Sequence, residues 1–109
     1  MAPSIRANPF FWLRQYYYGD SMYFVALVKF RVKPTQEIIA ENLKLQAKEE
    51  AEGVKVHEIY WTLGRYDAVV ISEAPDEKAI MKTALRREAN MSFETLTAIP
   101  AVEARKLVE

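Results

Sequence analysis

The chain has 109 residues, half of them hydrophobic, with fifteen Lys and Arg against fifteen Asp and Glu. That describes one globular domain with a core of its own, and the neutral balance argues against nucleic acid or an anionic membrane as the main partner. With no cysteine and a single histidine, His57, it has no disulfide, no thiol nucleophile and no multi-histidine metal site within one chain.

Residues 1–21 stand apart. Pro9-Phe10-Phe11-Trp12-Leu13 and Tyr16-Tyr17-Tyr18 are aromatic clusters around Arg14 and Gln15 with no periodic continuation. They lack the longer apolar stretch and small-residue cleavage site of a secretory signal, and no run elsewhere approaches the roughly 18 residues of a membrane helix. A cytoplasmic protein is expected, with neither metal nor cofactor. Residues 1–21 read as an N-terminal extension outside the fold, with Met22 as an alternative start, or as an arm that docks its aromatics on the domain or on a partner subunit. Residues 22–109 form the domain.

Tyr23 to Val32 alternates as a strand, with Phe24, Ala26, Val28, Phe30 and Val32 on one face. Pro34 closes it, and Thr35 caps a helix predicted over 36–52. There Ile39, Leu43, Ala47 and Ala51 recur every four residues, while Glu41, Lys44, Lys48 and Glu49 are expected in water. Gly53 suits the left-handed residue after that helix. A hairpin follows, Val54–Leu63 and Tyr66–Glu73, turning at Gly64-Arg65 in a two-residue type II′ connection. That turn sets a register with Leu63 opposite Tyr66, Trp61 opposite Ala68, Ile59 opposite Val70 and His57 opposite Ser72 on one face. Thr62 opposite Asp67, Tyr60 opposite Val69, Glu58 opposite Ile71 and Val56 opposite Glu73 occupy the other. Pro75 ends the strand and Asp76 caps a second helix over 77–89, with Ile80, Ala84 and Leu85 on one side. Asn90 suits a left-handed cap, Met91–Ile99 is a last strand ended by Pro100, and 101–108 could add a turn or two of helix.

The order is strand-helix-strand twice. Right-handed crossovers joined by the central hairpin give an α+β, ferredoxin-like βαββαβ arrangement: a four-stranded antiparallel sheet with two helices on one face. The other face would carry Tyr23, Val25, Leu27, Val56, Tyr60, Val69 and Ile71. It is too apolar to leave in water, which predicts a partner sheet and a homodimer or higher homo-oligomer.

The residues Leu63-Gly64-Arg65-Tyr66-Asp67, the valine run after them and Glu73-Ala74-Pro75 closely resemble the signature of the GYD domain family. Phe93-Glu94-Thr95-Leu96-Thr97-Ala98 resembles that family's closing strand. The resemblance covers most of 22–109 and implies a ferredoxin-like subunit of the dimeric α/β-barrel type, packed sheet to sheet. It implies no activity, since the family is a domain of unknown function. Asn90 stands where the family commonly has Gly.

Two constellations could carry chemistry. Tyr66 and Asp67 form either a phenol–carboxylate pair at a pocket mouth or a structural pair, with Asp67 bonding loop backbone and Tyr66 packing on Leu63. His57, Trp61 and Ser72 share a face in the predicted register. They are either core and edge residues or, with Tyr66, a ligand pocket in which His57 carries a proton and Trp61 stacks. No acid falls behind His57 on that face. Glu58 and Glu73 are expected to meet Lys29 or Arg31, and Lys82, Arg86 and Arg87 to form a solvated stripe. The leading expectation is an oligomeric small-ligand-binding or structural module without catalysis. The alternatives are a cofactor-independent oxygenase or isomerase-like enzyme and an adaptor that uses the aromatic leader.

Overall fold

The structure, a computed structural model, describes residues 21–108. The elements are β1 (Met22–Phe30), α1 (Gln36–Ala51), β2 (Lys55–Trp61), β3 (Ala68–Ala74), α2 (Glu77–Arg86), β4 (Met91–Ala98) and α3 (Ala101–Ala104), with a 3₁₀ turn over Arg105–Val108. The strands form one sheet in the order β2-β3-β1-β4, every neighbour antiparallel. This is the expected ferredoxin-like α+β arrangement. The extension expected over 1–21 lies outside the described residues apart from Ser21. Among the described residues no helix is long and apolar enough to cross a membrane.

The helix starts follow local chemistry. The Thr35 hydroxyl accepts from the Ile38 N–H at 3.2 Å, and the Asp76 carboxylate accepts from the Ala79 N–H at 3.0 Å. Gly53 takes φ +99 just past α1 and packs on Pro75, the residue that stops β3. Around that junction Phe24, Val54, Ala74 and Ile80 make the core cluster, with Met22 and Ala79 against it.

The α1 stripe is not the one predicted. Ile38, Asn42, Leu45, Gln46 and Glu49 turn inward, while Ile39, Leu43, Ala47 and Ala51 are exposed. The reason is geometric. Steps of four advance about 40° past a full turn each time, so 39-43-47-51 winds some 120° around the helix. The spacing 38-42-45-49 stays within about 30° of one line. In α2 likewise Ile80 is buried but Met81 and Leu85 are exposed. The helix stops at Arg86, earlier than expected, and 87–90 form turns in which the Asn90 and Met91 N–H groups both donate to the Arg87 carbonyl.

The hairpin keeps the predicted register from Trp61 opposite Ala68 to Glu58 opposite Ile71, and then slips. A bulge at His57 sets Val56 opposite Ser72 and Lys55 opposite Glu73. Val56 therefore turns to the helix face and His57 leaves it. At the other end the strands close later than a two-residue turn would allow. The last backbone bond is Thr62 N–H to the Asp67 carbonyl at 2.9 Å, and the Thr62 hydroxyl donates to the Tyr66 carbonyl at 2.8 Å. A four-residue loop results, with Gly64 at φ +96.

The two left-handed glycines differ in surroundings, and substitution separates the effects. A Cβ on Gly64 meets nothing within 4 Å, whereas one on Gly53 lies 3.2 Å from Pro75 Cγ. Gly64→Ala is expected to cost about 1 kcal/mol from backbone conformation alone. Gly53→Ala adds steric displacement of Pro75 and is expected to cost about 2–3 kcal/mol. Urea unfolding of both variants checks this; equal midpoints would show that the Gly53–Pro75 contact is immaterial.

Candidate functional site

The two helices do not close down on the sheet. They leave a cleft of about 220 Å³ against its inner face. Its floor is built from the inward residues of the two central strands, Ala26, Val28, Ala68 and Val70, with Phe93 from β4. Strand alternation places them there, and two of the five are alanines too short to fill the space. Phe30 and Trp61 meet edge to face at 5.3 Å between centroids to form an aromatic wall. Trp61 and Leu43, 62% and 60% exposed, stand at the mouth.

The helix side of the cleft carries a locked polar cluster among apolar residues such as Ile38, Ile39 and Ile80. Glu49 is only 3% exposed. Arg87 grips it with two nitrogens, Nη1 to Oε2 and Nη2 to Oε1, each at 2.8 Å. The same guanidinium donates to Asn42 Oδ1 at 2.5 Å and to the Thr83 carbonyl at 2.9 Å. Arg86 reaches Glu49 at 3.2 Å and clasps Glu52 with two bonds of 3.0 Å. The Arg86–Glu52 hydrogen bonds hold the Glu52 carboxyl below its usual range, and Glu52 with Glu49 raises Arg86. Sequence reasoning placed Glu49 in water and both arginines on a solvated stripe. The structure overturns this: a charge turned inward by the helix period has to be paired. The 38-42-45-49 spacing was the signal that could have found it.

Ser72 lines the cleft on β3 and is 5% exposed. Among the described residues its hydroxyl has no hydrogen-bond partner.

The four expected ligand residues divide across the sheet. Trp61 and Ser72 line the cleft, while His57 and Tyr66 lie on the opposite, outer face. The bulge puts His57 beside Tyr23, stacked at 5.7 Å with ring planes 12° apart, and its Nε2 lies 2.9 Å from Glu73 Oε1. An acid does therefore stand behind His57, and Glu73 also accepts from the Ser21 hydroxyl. Tyr66 does not pack on Leu63, which is fully exposed. Its hydroxyl donates to Glu94 Oε1 at 2.6 Å, which raises the phenol above its ordinary value, and the Arg65 guanidinium lies 5.8 Å from its ring centre.

Asp67 belongs to neither face's chemistry. Its carboxylate accepts from the Phe30 N–H at 2.7 Å, and its own N–H donates to the Val28 carbonyl at 2.7 Å. It ties the hairpin loop to β1 where that strand ends, at Phe30 rather than Val32. Glu58 and Glu73 do not meet Lys29 or Arg31. The neighbouring Glu58 carboxylate raises the Tyr60 phenol, while Lys29 donates to the Arg65 carbonyl and Arg31 to the Met91 carbonyl, each at 3.2 Å. Among the described residues no cluster of three His, Cys, Asp or Glu could hold a metal.

One protein-family profile, described as the GYD domain, matches residues 24–108. No curated protein matches the chain.

The two arginines should be unequal. Arg87→Ala strands the buried Glu49 carboxylate and is expected to cost about 3–5 kcal/mol. Arg86→Ala leaves the bidentate grip of Arg87 in place and is expected to cost much less, because its main partner Glu52 is far more exposed. Thermal denaturation at matched pH decides; comparable losses would mean that Arg87 does not carry the clamp.

Proposed function

The chain belongs to the GYD domain family, and we propose that it is a small-ligand-binding module whose site is the apolar cleft between the sheet and its two helices. The observation that carries this is the cleft itself. Protein interiors close-pack and leave few voids larger than a water molecule, yet here about 220 Å³ stays open against an apolar floor. Concave apolar sites with a few polar groups are the usual form of small-molecule pockets. Binding without catalysis is favoured because Glu49 and Arg87, charged groups of the cleft wall, are bonded to each other. His57, the sole histidine, lies across the sheet.

A neutral solvatochromic naphthalene dye such as prodan tests this. Wild-type protein is expected to bind it with a blue shift. Ala26→Phe, which projects a ring from the floor into the cleft, is expected to lower affinity at least about tenfold while the melting temperature holds or rises. Unaltered dye binding in a folded Ala26→Phe protein would sink the reading.

A second reading concerns the outer face, and it is compatible with the first. Val25 pairs with Ile71 and Leu96, and Leu27 with Val69, which makes a continuous apolar patch at the middle of the sheet with Tyr60 beside it. His57, stacked on Tyr23, and the Glu58, Glu73 and Glu94 carboxylates rim it. An apolar centre within a polar rim is the anatomy of a protein interface. A second copy of this chain is the proposed partner, through Tyr23, Val25, Leu27, Tyr60, Val69 and Ile71. Solution scattering is expected to give a dimer or larger assembly, and Leu27→Arg to shift it to monomer mass. A wild-type monomer at micromolar concentration would exclude this interface.

A further inference from the structure

We propose that the Ser72 hydroxyl anchors the single polar group of an uncharged, flat, apolar ligand of about two fused rings; this rests on reading the cleft as a ligand site. Ser72 pairs with Phe24 on one side and Val56 on the other, so its side chain sits among apolar neighbours on the cleft's floor. Buried hydroxyls are almost always hydrogen-bonded, because a donor removed from water and left without a partner is costly. This one, 5% exposed, has no partner among the described residues and belongs to a residue that lines the cleft. A ligand hydroxyl or carbonyl is the complement it lacks.

Charge and shape narrow the class. Both Glu49 oxygens are occupied, Oε1 by Arg87 Nη2 and Oε2 by Arg87 Nη1, each at 2.8 Å. The pair neutralises itself and leaves no spare charge to offset the desolvation of an ionic ligand. Carboxylates, phosphates and amines are therefore disfavoured. Beside Ser72 on the floor lie the short side chains of Val70 and its cross-strand partner Ala26, which favour a flat apolar group, while the Phe30–Trp61 pair stands about 13 Å further along, where Trp61 is opposite Ala68. The volume of about 220 Å³ exceeds the roughly 150 Å³ of an apolar cavity that takes benzene, which leaves room for a second ring.

The experiment is calorimetric titration of the full chain with naphthalene, naphthol and naphthoate, repeated with Ser72→Ala. Wild type is expected to bind naphthol about five- to tenfold more tightly than naphthalene, the effect of one neutral hydrogen bond, and naphthoate most weakly. Ser72→Ala is expected to abolish naphthol's advantage while leaving naphthalene affinity within about twofold. The empty variant should melt no lower than wild type, since an unpartnered hydroxyl has been removed. If Ser72→Ala does not fold, Ser72→Cys keeps the volume with a much weaker donor and carries the same expectation. Equal binding of naphthol and naphthalene by wild type, or an advantage that survives at position 72 without the hydroxyl, overturns the Ser72 assignment and leaves the cleft standing. Tightest binding of naphthoate overturns the neutral-ligand class. Failure of wild type to bind any of the three overturns the cleft as a ligand site and this inference with it.

Discussion

The bidentate grip of Arg87 on Glu49 is the constraint from which the cleft follows. A carboxylate that is 3% exposed is tolerable only with its charge matched and its lone pairs bonded. Meeting that need fixes the C-terminal turns of α1 and α2 to each other, because Arg87 also donates to Asn42 on α1 and to the Thr83 carbonyl on α2. It also fixes what the helices offer the sheet. Their inward surface includes Asn42, Gln46, Glu49, Thr83 and Arg87, groups that gain nothing by pressing onto Ala26 and Val70. An all-apolar stripe at these positions would have collapsed the layer and filled the space. The helices instead meet the sheet firmly at one end, through Ile80 against Phe24, Val54 and Ala74, and stand off it toward Trp61.

Two irregularities of the central hairpin decide which side of the sheet each candidate residue serves. The bulge at His57 moves one residue across the pleat and exchanges places with Val56. One extra residue is enough to take an imidazole out of the cleft and set it against Tyr23 and Glu73 on the outer face. At the hairpin's loop, Asp67 satisfies the Phe30 N–H as β1 runs out of partner, so the Tyr-Asp of the motif is split in role. The aspartate locks backbone, while the tyrosine reaches outward to Glu94.

The fold was legible because its punctuation is local. Thr35, Gly53, Pro75 and Asp76 each act on the backbone within a few residues, and Gly53 and Pro75 even touch. Strand order followed from connection rules that need no side-chain detail. The site was less legible, since it depends on where periods slip. The bulge carries no Gly or Pro to announce it; Val56-His57-Glu58 reads as unbroken alternation. The α1 stripe misled because its alanines and leucine outweighed the tighter geometric line through Asn42 and Glu49. Glu49 and Arg87, thirty-eight positions apart, gain meaning only once both helices are docked on one face. Trp61 fell on the cleft side as expected because the register holds between the loop and the bulge, and Ser72 because the slip lies on β2 and leaves the alternation of β3 unbroken.

The proposal of recognition over reaction rests on how the polar groups are partitioned. General acid–base catalysis needs a titratable group within hydrogen-bond reach of the bound molecule. Glu49 and Arg87, the charged pair on the cleft wall, hold each other, and a proton moved from Arg87 to Glu49 would leave two neutral groups where a matched buried pair now stands. Ser72 lies within the cleft, but a serine becomes a nucleophile only beside a base, and the sole histidine faces the other way. What remains on the cleft side is an apolar floor, an aromatic wall and one unanswered hydroxyl. Under the proposed function, those parts would select a molecule by shape and by a single hydrogen bond.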